Sequence, residues 1–256
     1  MLRKGFPLEH IRAMQNAPPG ASVTTDLTGT HVHLAGCESP RTAPVPINRK
    51  FPRYFDPLFS TAWTGPVNPA TLIDYDPEAQ VSNTLFSTVY NPTELEPMSS
   101  SIAIFVDGAC LHKGKGSEAR AGYGIFFGNG SKYNSHGLVD SDLKQTSQVA
   151  EIVAALKALE IVDEVWKNVG LMEVVLVSDS EYLVKSMCEY IWKWLKNGFK
   201  ASTGKKVENE VLLKKLHERI EQLSEEGAQV KFWHVKRDMN QDADILANVA
   251  LDSLRV

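Results

Sequence analysis

Three cysteines, Cys37, Cys110 and Cys188, are all that this 256-residue chain carries. They are too few and too scattered for a disulfide framework or a Cys-rich zinc site. There is no apolar run long enough to span a membrane, so no membrane partner is expected. The opening stretch, MLRKGFPLEHIRAMQ, lacks the apolar segment of a secretory signal. An intracellular protein of the nucleus or cytoplasm is therefore expected. Arg3, Lys4 and Arg12 on a short amphipathic stretch keep a mitochondrial address open, and Pro7 and Glu9 stand against it. An excess of positive charge is lacking as well. The net charge is −4, so global charge does not advertise a nucleic-acid partner. What is present is a globular composition, 43% hydrophobic and 23% charged, sufficient to bury a core.

Proline is absent from Met98 onward; all 13 prolines lie between Pro7 and Pro97. Proline breaks helices and removes ladder donors. Residues 1–97 are therefore expected to be a Pro-rich, largely irregular or disordered extension, and 98–256 the folded domain. Within the extension, Phe51, Tyr54, Phe55, Phe59 and Trp63 fall within thirteen residues. Such a cluster reads first as a strap docked on the following domain. The sharper reading is a segment that binds an unidentified protein.

After the prolines, strand and helix patterns alternate. Segments 101–106, 121–128, 133–139, 172–178 and 229–235 read as strands, with Gly128-Asn129-Gly130 as a hairpin turn. Val149, Ile152, Val153, Leu156, Leu159 and Val162 recur at helical spacing. Further helices are expected at YLVKSMCEYIWKWL, EVLLKKLHERIEQL and ADILANVALDSL. This order predicts an α/β domain with a mixed five-stranded sheet flanked by helices.

Four acids stand out in that frame. Asp107 follows the first strand and Asp179 the fourth, which places both at one edge of the sheet, where open α/β sheets hold ligands. Glu151 begins the long helix that crosses the sheet, and Asp244 begins the last helix. Taken singly, an acid after a strand is most often a cap or turn residue. Four of them at one point repel unless a cation intervenes. Hard oxygen donors with open positions suit Mg²⁺ or Mn²⁺. Two such ions about 4 Å apart activate water and stabilise the leaving oxygen in phosphodiester cleavage.

The segments FVDGAC, RAGYGIFFG, TSQVAEIVAALKALE, VSDSEYLV, WLKNGFKASTGKKVEN and NQDADILA, in that order, resemble the ribonuclease H family in its eukaryotic type 1 form, over about residues 100–254. The resemblance implies a ribonuclease H-like fold. It also implies a two-metal endoribonuclease that cuts the RNA strand of RNA/DNA hybrids and leaves 5′-phosphate and 3′-hydroxyl ends. Asp107, Glu151, Asp179 and Asp244 match the family's metal-binding acids, with two Mg²⁺ (or Mn²⁺) ions as cofactor. A monomer is expected.

Between Trp192 and Lys206 lie five lysines and no acid, with Trp194 and Phe199 interleaved. Alone, such a run is usually a solvated helix face, but interleaved aromatics also suit nucleic acid, lysines meeting phosphates and rings meeting sugars. The resemblance makes it the family's basic protrusion on the DNA strand. Lys196 and Lys200 would be its cations, Trp194 its sugar-contacting ring and Tyr190 a second aromatic. Thr146 and Asn209 match the family's pocket for a DNA phosphate, and Lys144 stands where the family has Arg. Gln148 matches a residue that contacts the hybrid in the minor groove, where 2′-hydroxyls distinguish RNA from DNA.

The chain departs from the family in three places. The loop before the last helix, which in the family carries a catalytic His and glycines, is reduced to Lys236-Arg237-Asp238-Met239-Asn240. His234 reads as strand rather than as that His, so slower turnover is expected. Ser147 replaces an Asn that reads the hybrid, and Lys113 stands near another such position. The rival from a different class is a hybrid- or RNA-binding protein on the same fold with weak or lost cleavage. Four intact acids beside phosphate argue against it.

Overall fold

The computed structural model describes residues 21–26, 29–34, 52–56, 69–86, 94–114 and 118–252. The chain divides into two compact units, residues 1–47 and 48–256. In the first, β1 (Ala21–Asp26) and β2 (Gly29–Leu34) form an antiparallel pair.

The second unit is built on one sheet. Its centre is β6 (Ser101–Leu111). On one side β6 pairs in parallel with β9 (Glu173–Ser178), which pairs in parallel with β10 (Gln229–His234). On the other side β6 pairs antiparallel with β7 (Arg120–Phe126), and β7 with β8 (Ser135–Leu138). These are the five expected strands, mixed as expected. Alternate residues of β6 load two faces: Ile102, Ile104 and Val106 join the main core, and Ala103 joins a second cluster with Val175, Val177 and Trp233.

The helices follow from local signals. α1 (Ser147–Val169) starts where the Thr146 side chain accepts from Val149 N–H, and it stops at Gly170 in the left-handed region (φ 67°). Its Ile152, Leu159 and Val162 are fully buried. The expected helix after β9 runs unbroken, with one local change of winding: α2 (Glu181–Lys185) passes through a π-helical turn, Ser186–Tyr190, into α3 (Ile191–Asn197). α4 (Glu210–Glu225) and α5 (Gln241–Asp252) complete the unit. No described helix is long and apolar enough to cross a membrane.

The expected boundary after Pro97 is not where the compact unit begins. β4 (Val81–Phe86) pairs with β6 at Ser82–Ala103 and carries β3 (Ile73–Asp76) and the two-residue β5 (Glu96–Pro97) beside it. Phe55 and Leu72 are buried in the second cluster, with Phe55 5.2 Å from Trp233 between ring centroids. The apolar second face of β6 and β9 needs a cover, and these upstream residues supply it. Two of the described prolines show how this is compatible with a sheet: Pro77 sits in the β3–β4 turn and Pro97 on the short outer strand β5. Tyr54 and Phe55 thus dock as a strap; Phe51, Phe59 and Trp63 lie outside the described residues.

Candidate active site

Asp107 does not follow β6 but lies within it. The strand continues to Leu111 because β7 pairs with it as far as Leu111–Arg120. Pairing with β9 stops at Phe105–Val177, so beyond that point one side of β6 is open. Asp179 directly follows β9 at the same level. Two glycines let helices approach this point. A Cβ on Gly108 would lie 2.3 Å from Glu151 N, so α1 passes hard against β6 and brings Glu151 beside Asp107. A Cβ on Gly124, which pairs with Asp107, would lie 2.2 Å from Ala243 O, and α5 brings Asp244 in the same way.

The acids interact strongly. Asp107, only 8% exposed, is pushed up to about 7, first by burial and then by the charges of Asp179, Asp244 and Glu151; a Gly108 backbone hydrogen bond works against the rise. Glu151 is also raised to about 7. Burial is the main cause and Asp179 adds to it, while Ser180 and Lys113 oppose it. Three neutral side chains and one cation, Arg237, hydrogen-bond the carboxylates. Ser180 Oγ donates to Glu151 Oε2 at 2.5 Å. Asn240, 1% exposed, donates from Nδ2 to Asp179 Oδ1 (3.0 Å) and Val106 O (3.1 Å). Arg237 Nη2 donates to Asp244 Oδ1 at 2.8 Å, and Asn248 Nδ2 donates to Asp244 Oδ2 at 3.2 Å. Among the described residues, no group of three or more His, Cys, Asp or Glu is arranged to hold a metal ion. The donor set nevertheless fits a hard cation. All four groups are carboxylates, and the other three repel the buried carboxylate of Asp107, which a divalent ion relieves.

Asn240, Ser180 and Arg237 were not singled out from the sequence. Ser180 carries a readable signal, since it caps α2 by accepting from Leu183 N–H. Asn240 carries only its place before the last helix. Arg237 lies in the shortened interval, a 3₁₀ turn at Arg237–Met239. His234 ends β10 as expected, with Nε2 3.3 Å from Asp179 O.

The other expected contacts form two further groups. Lys144 and Asn209 line one open cleft of about 440 Å³ together with Lys206. Thr146 N–H donates to Lys144 O, and Asn209 Nδ2 donates to Tyr182 Oη at 3.1 Å. Ser147 and Gln148 open α1 beside Thr146. Trp194 and Lys196 lie on α3, with Tyr190 5.5 Å from Trp194 between ring centroids. Lys200 pairs with Lys206 in a hairpin based on buried Phe199 and Val207. Lys113 lies in the turn that follows β6 and acts electrostatically on Glu151.

The family model for RNase H matches residues 99–252. The chain belongs to the RNase H family. Ribonuclease H1 of Rattus norvegicus is 31% identical over 178 residues, covering 68% of this chain and 55% of that protein. Ribonuclease H1 of Homo sapiens is 32% identical over 59% of this chain and 50% of its own length. The chain thus spans about half the length of these mammalian relatives. Ribonuclease H of Pseudomonas savastanoi pv. phaseolicola is 30% identical, covering 62% of this chain and 97% of that one. Among solved structures, LC11-RNase H1, isolated from compost by a metagenomic approach, matches 61% of this chain and 99% of its own at 25% identity and a TM-score of 0.45.

Proposed function

We propose that this protein is an endoribonuclease that hydrolyses the RNA strand of RNA/DNA hybrids. The observation that carries the reading is the meeting of Asp107, Glu151, Asp179 and Asp244 at the open side of β6, in a chain of the RNase H family. These four carboxylates would hold two divalent ions, Mg²⁺ or Mn²⁺, which supply an activated water and stabilise the leaving oxygen. The chain's own residues set the geometry. Asn240 fixes the Asp179 carboxylate against β6, and Ser180 fixes Glu151. Arg237 neutralises Asp244 and is exposed enough to swing away. Thr146, Asn209 and Lys144 would receive a DNA phosphate, with Ser147 and Gln148 on the minor-groove side. Trp194, Lys196 and Lys200 would take the DNA backbone further along. The concentration of negative charge favours cleavage over mere binding, because a binder gains nothing from buried acids beside phosphate.

The products should carry 5′-phosphate and 3′-hydroxyl ends. After limited digestion of a hybrid, the RNA fragments left on the DNA strand should be extended by a DNA polymerase without phosphatase treatment. Fragments that require phosphatase first would mean attack by the RNA's own 2′-hydroxyl, and this mechanism would be wrong.

A further inference from the structure

Arg53 is 5% exposed. A long cation is rarely buried so fully unless paired, and Arg53 is paired on every side. Its Nη2 lies 2.7 Å from both His217 Nδ1 and Glu221 Oε1, one turn apart on α4. Its Nη1 donates to Met187 O at 3.4 Å, within the π-helical turn. Its guanidinium carbon sits 4.6 Å from the ring centroid of Trp192, the second residue of α3. His217 meets the same indole edge-on at 5.7 Å.

The neighbouring residues tie this contact down. Phe232 N–H donates to Arg53 O (2.7 Å) and Phe55 N–H to Phe232 O (2.9 Å), so residues 53–55 add to the outer edge of β10. Tyr54 Oη donates to Glu189 at 2.5 Å. One tripeptide therefore grips β10, α4 and the π-turn that leads into α3. The wide π-turn alters the helical ladder there, and the Met187 carbonyl takes a side-chain donor. α3 continues from α2 through this turn without a break, so the direction in which it leaves depends on how the turn is held. Ile191 is buried, and Trp192 and Trp194 pack part-buried against the main core, Trp194 also 6.0 Å from Phe199 between ring centroids. Beyond Trp192 on the same helix lie Trp194 and Lys196.

We infer that Arg53 is a positioning residue for hybrid binding: by stacking on Trp192 and bonding Met187 O, it sets the direction of α3 and hence the reach of Trp194 and Lys196 toward the nucleic acid. The inference rests on the hybrid reading above. It assigns the segment upstream of the family-matched region a role in substrate affinity.

The test is steady-state kinetics of the full chain on a labelled hybrid, comparing wild type, Arg53→Met and Arg53→Lys. Arg53→Met should raise KM about five- to twenty-fold, the scale of a lost desolvated cation–π contact, with kcat within about twofold. Arg53→Lys keeps the charge but loses the planar stack and fork, so its KM should fall between the two. A merely structural role would reduce the active fraction, lowering kcat and leaving KM alone. An unchanged KM in Arg53→Met overturns the inference. If that variant does not fold, Trp192→Leu removes the same stack from the other side; the same rise in KM is expected, and an unchanged KM overturns the inference equally. A wild-type chain that neither binds nor cuts the hybrid overturns the hybrid reading and this inference with it, whereas an active wild type with unmoved variants overturns the inference alone.

Discussion

Asp107→Asn and Asp179→Asn are each expected to lower hybrid cleavage by about 10²-fold or more while the protein stays folded. Each change keeps side-chain size and removes one of the charges a divalent cation needs. The fold should not suffer, because in the metal-free protein charged Asp107 is unfavourably buried and the charge of Asp179 adds to that cost. Asp107 has its folded pKa raised from 3.8 to about 7. A group raised in this way binds its proton more tightly in the folded state. Its contribution to stability is present below pH 4 and is lost as pH rises through about 7. Without metal, Asp107→Asn should therefore melt several degrees above wild type at pH 8 and close to it at pH 4. Thermal melts in a chelator at the two pH values check the sign. A variant that cleaves at wild-type rate at matched metal concentration, or melts lower at pH 8, would contradict the site.

The second large effect concerns affinity. Changing Lys196, Lys200 and Lys205 together to Ala should weaken hybrid binding by up to about 10²-fold near physiological salt, and should lower the log–log salt slope by up to about 3. These three are chosen because no carboxylate pairs with them among the described residues, whereas Lys206 is taken by Glu210 at 2.9 Å. Lys200 and Lys205 project from the hairpin and Lys196 from the end of α3, with Trp194 and Tyr190 alongside. Exposed lysines on a solvated face would change neither quantity. Binding measured from low to moderate salt, in Ca²⁺ to suppress cleavage, decides between the two.

The five central strands were legible because each is a short apolar run closed by turn residues, and α1 because its apolar positions keep helical spacing over many turns. The acids were legible as a group because strand ends and helix starts are where a sheet edge gathers ligands. Their exact setting was not. Asp107 sits mid-strand because β7 extends the pairing past it, and strand length depends on a partner that local sequence does not reveal. β3 and β4 were hidden by proline density, although Pro77 and Pro97 occupy a turn and a short outer strand. The strap was visible only as a cluster of rings. Arg53 carries no sequence signal, because Trp192, His217 and Glu221 surround it only on folding. The π-turn was unreadable because nothing in SMCEY distinguishes it from ordinary helix. Asn240 and Arg237 act through contacts with acids that the chain brings together only on folding.

The central claim, metal-dependent cutting of RNA paired with DNA, is tested most directly by incubating the purified protein with a strand-labelled RNA/DNA hybrid, an RNA duplex and a DNA duplex, each with Mg²⁺, with Mn²⁺ and with neither. The account predicts shortening of the RNA strand of the hybrid alone, with either ion present and not without one. An intact hybrid at every metal concentration, or equal cutting of all three duplexes, would contradict it.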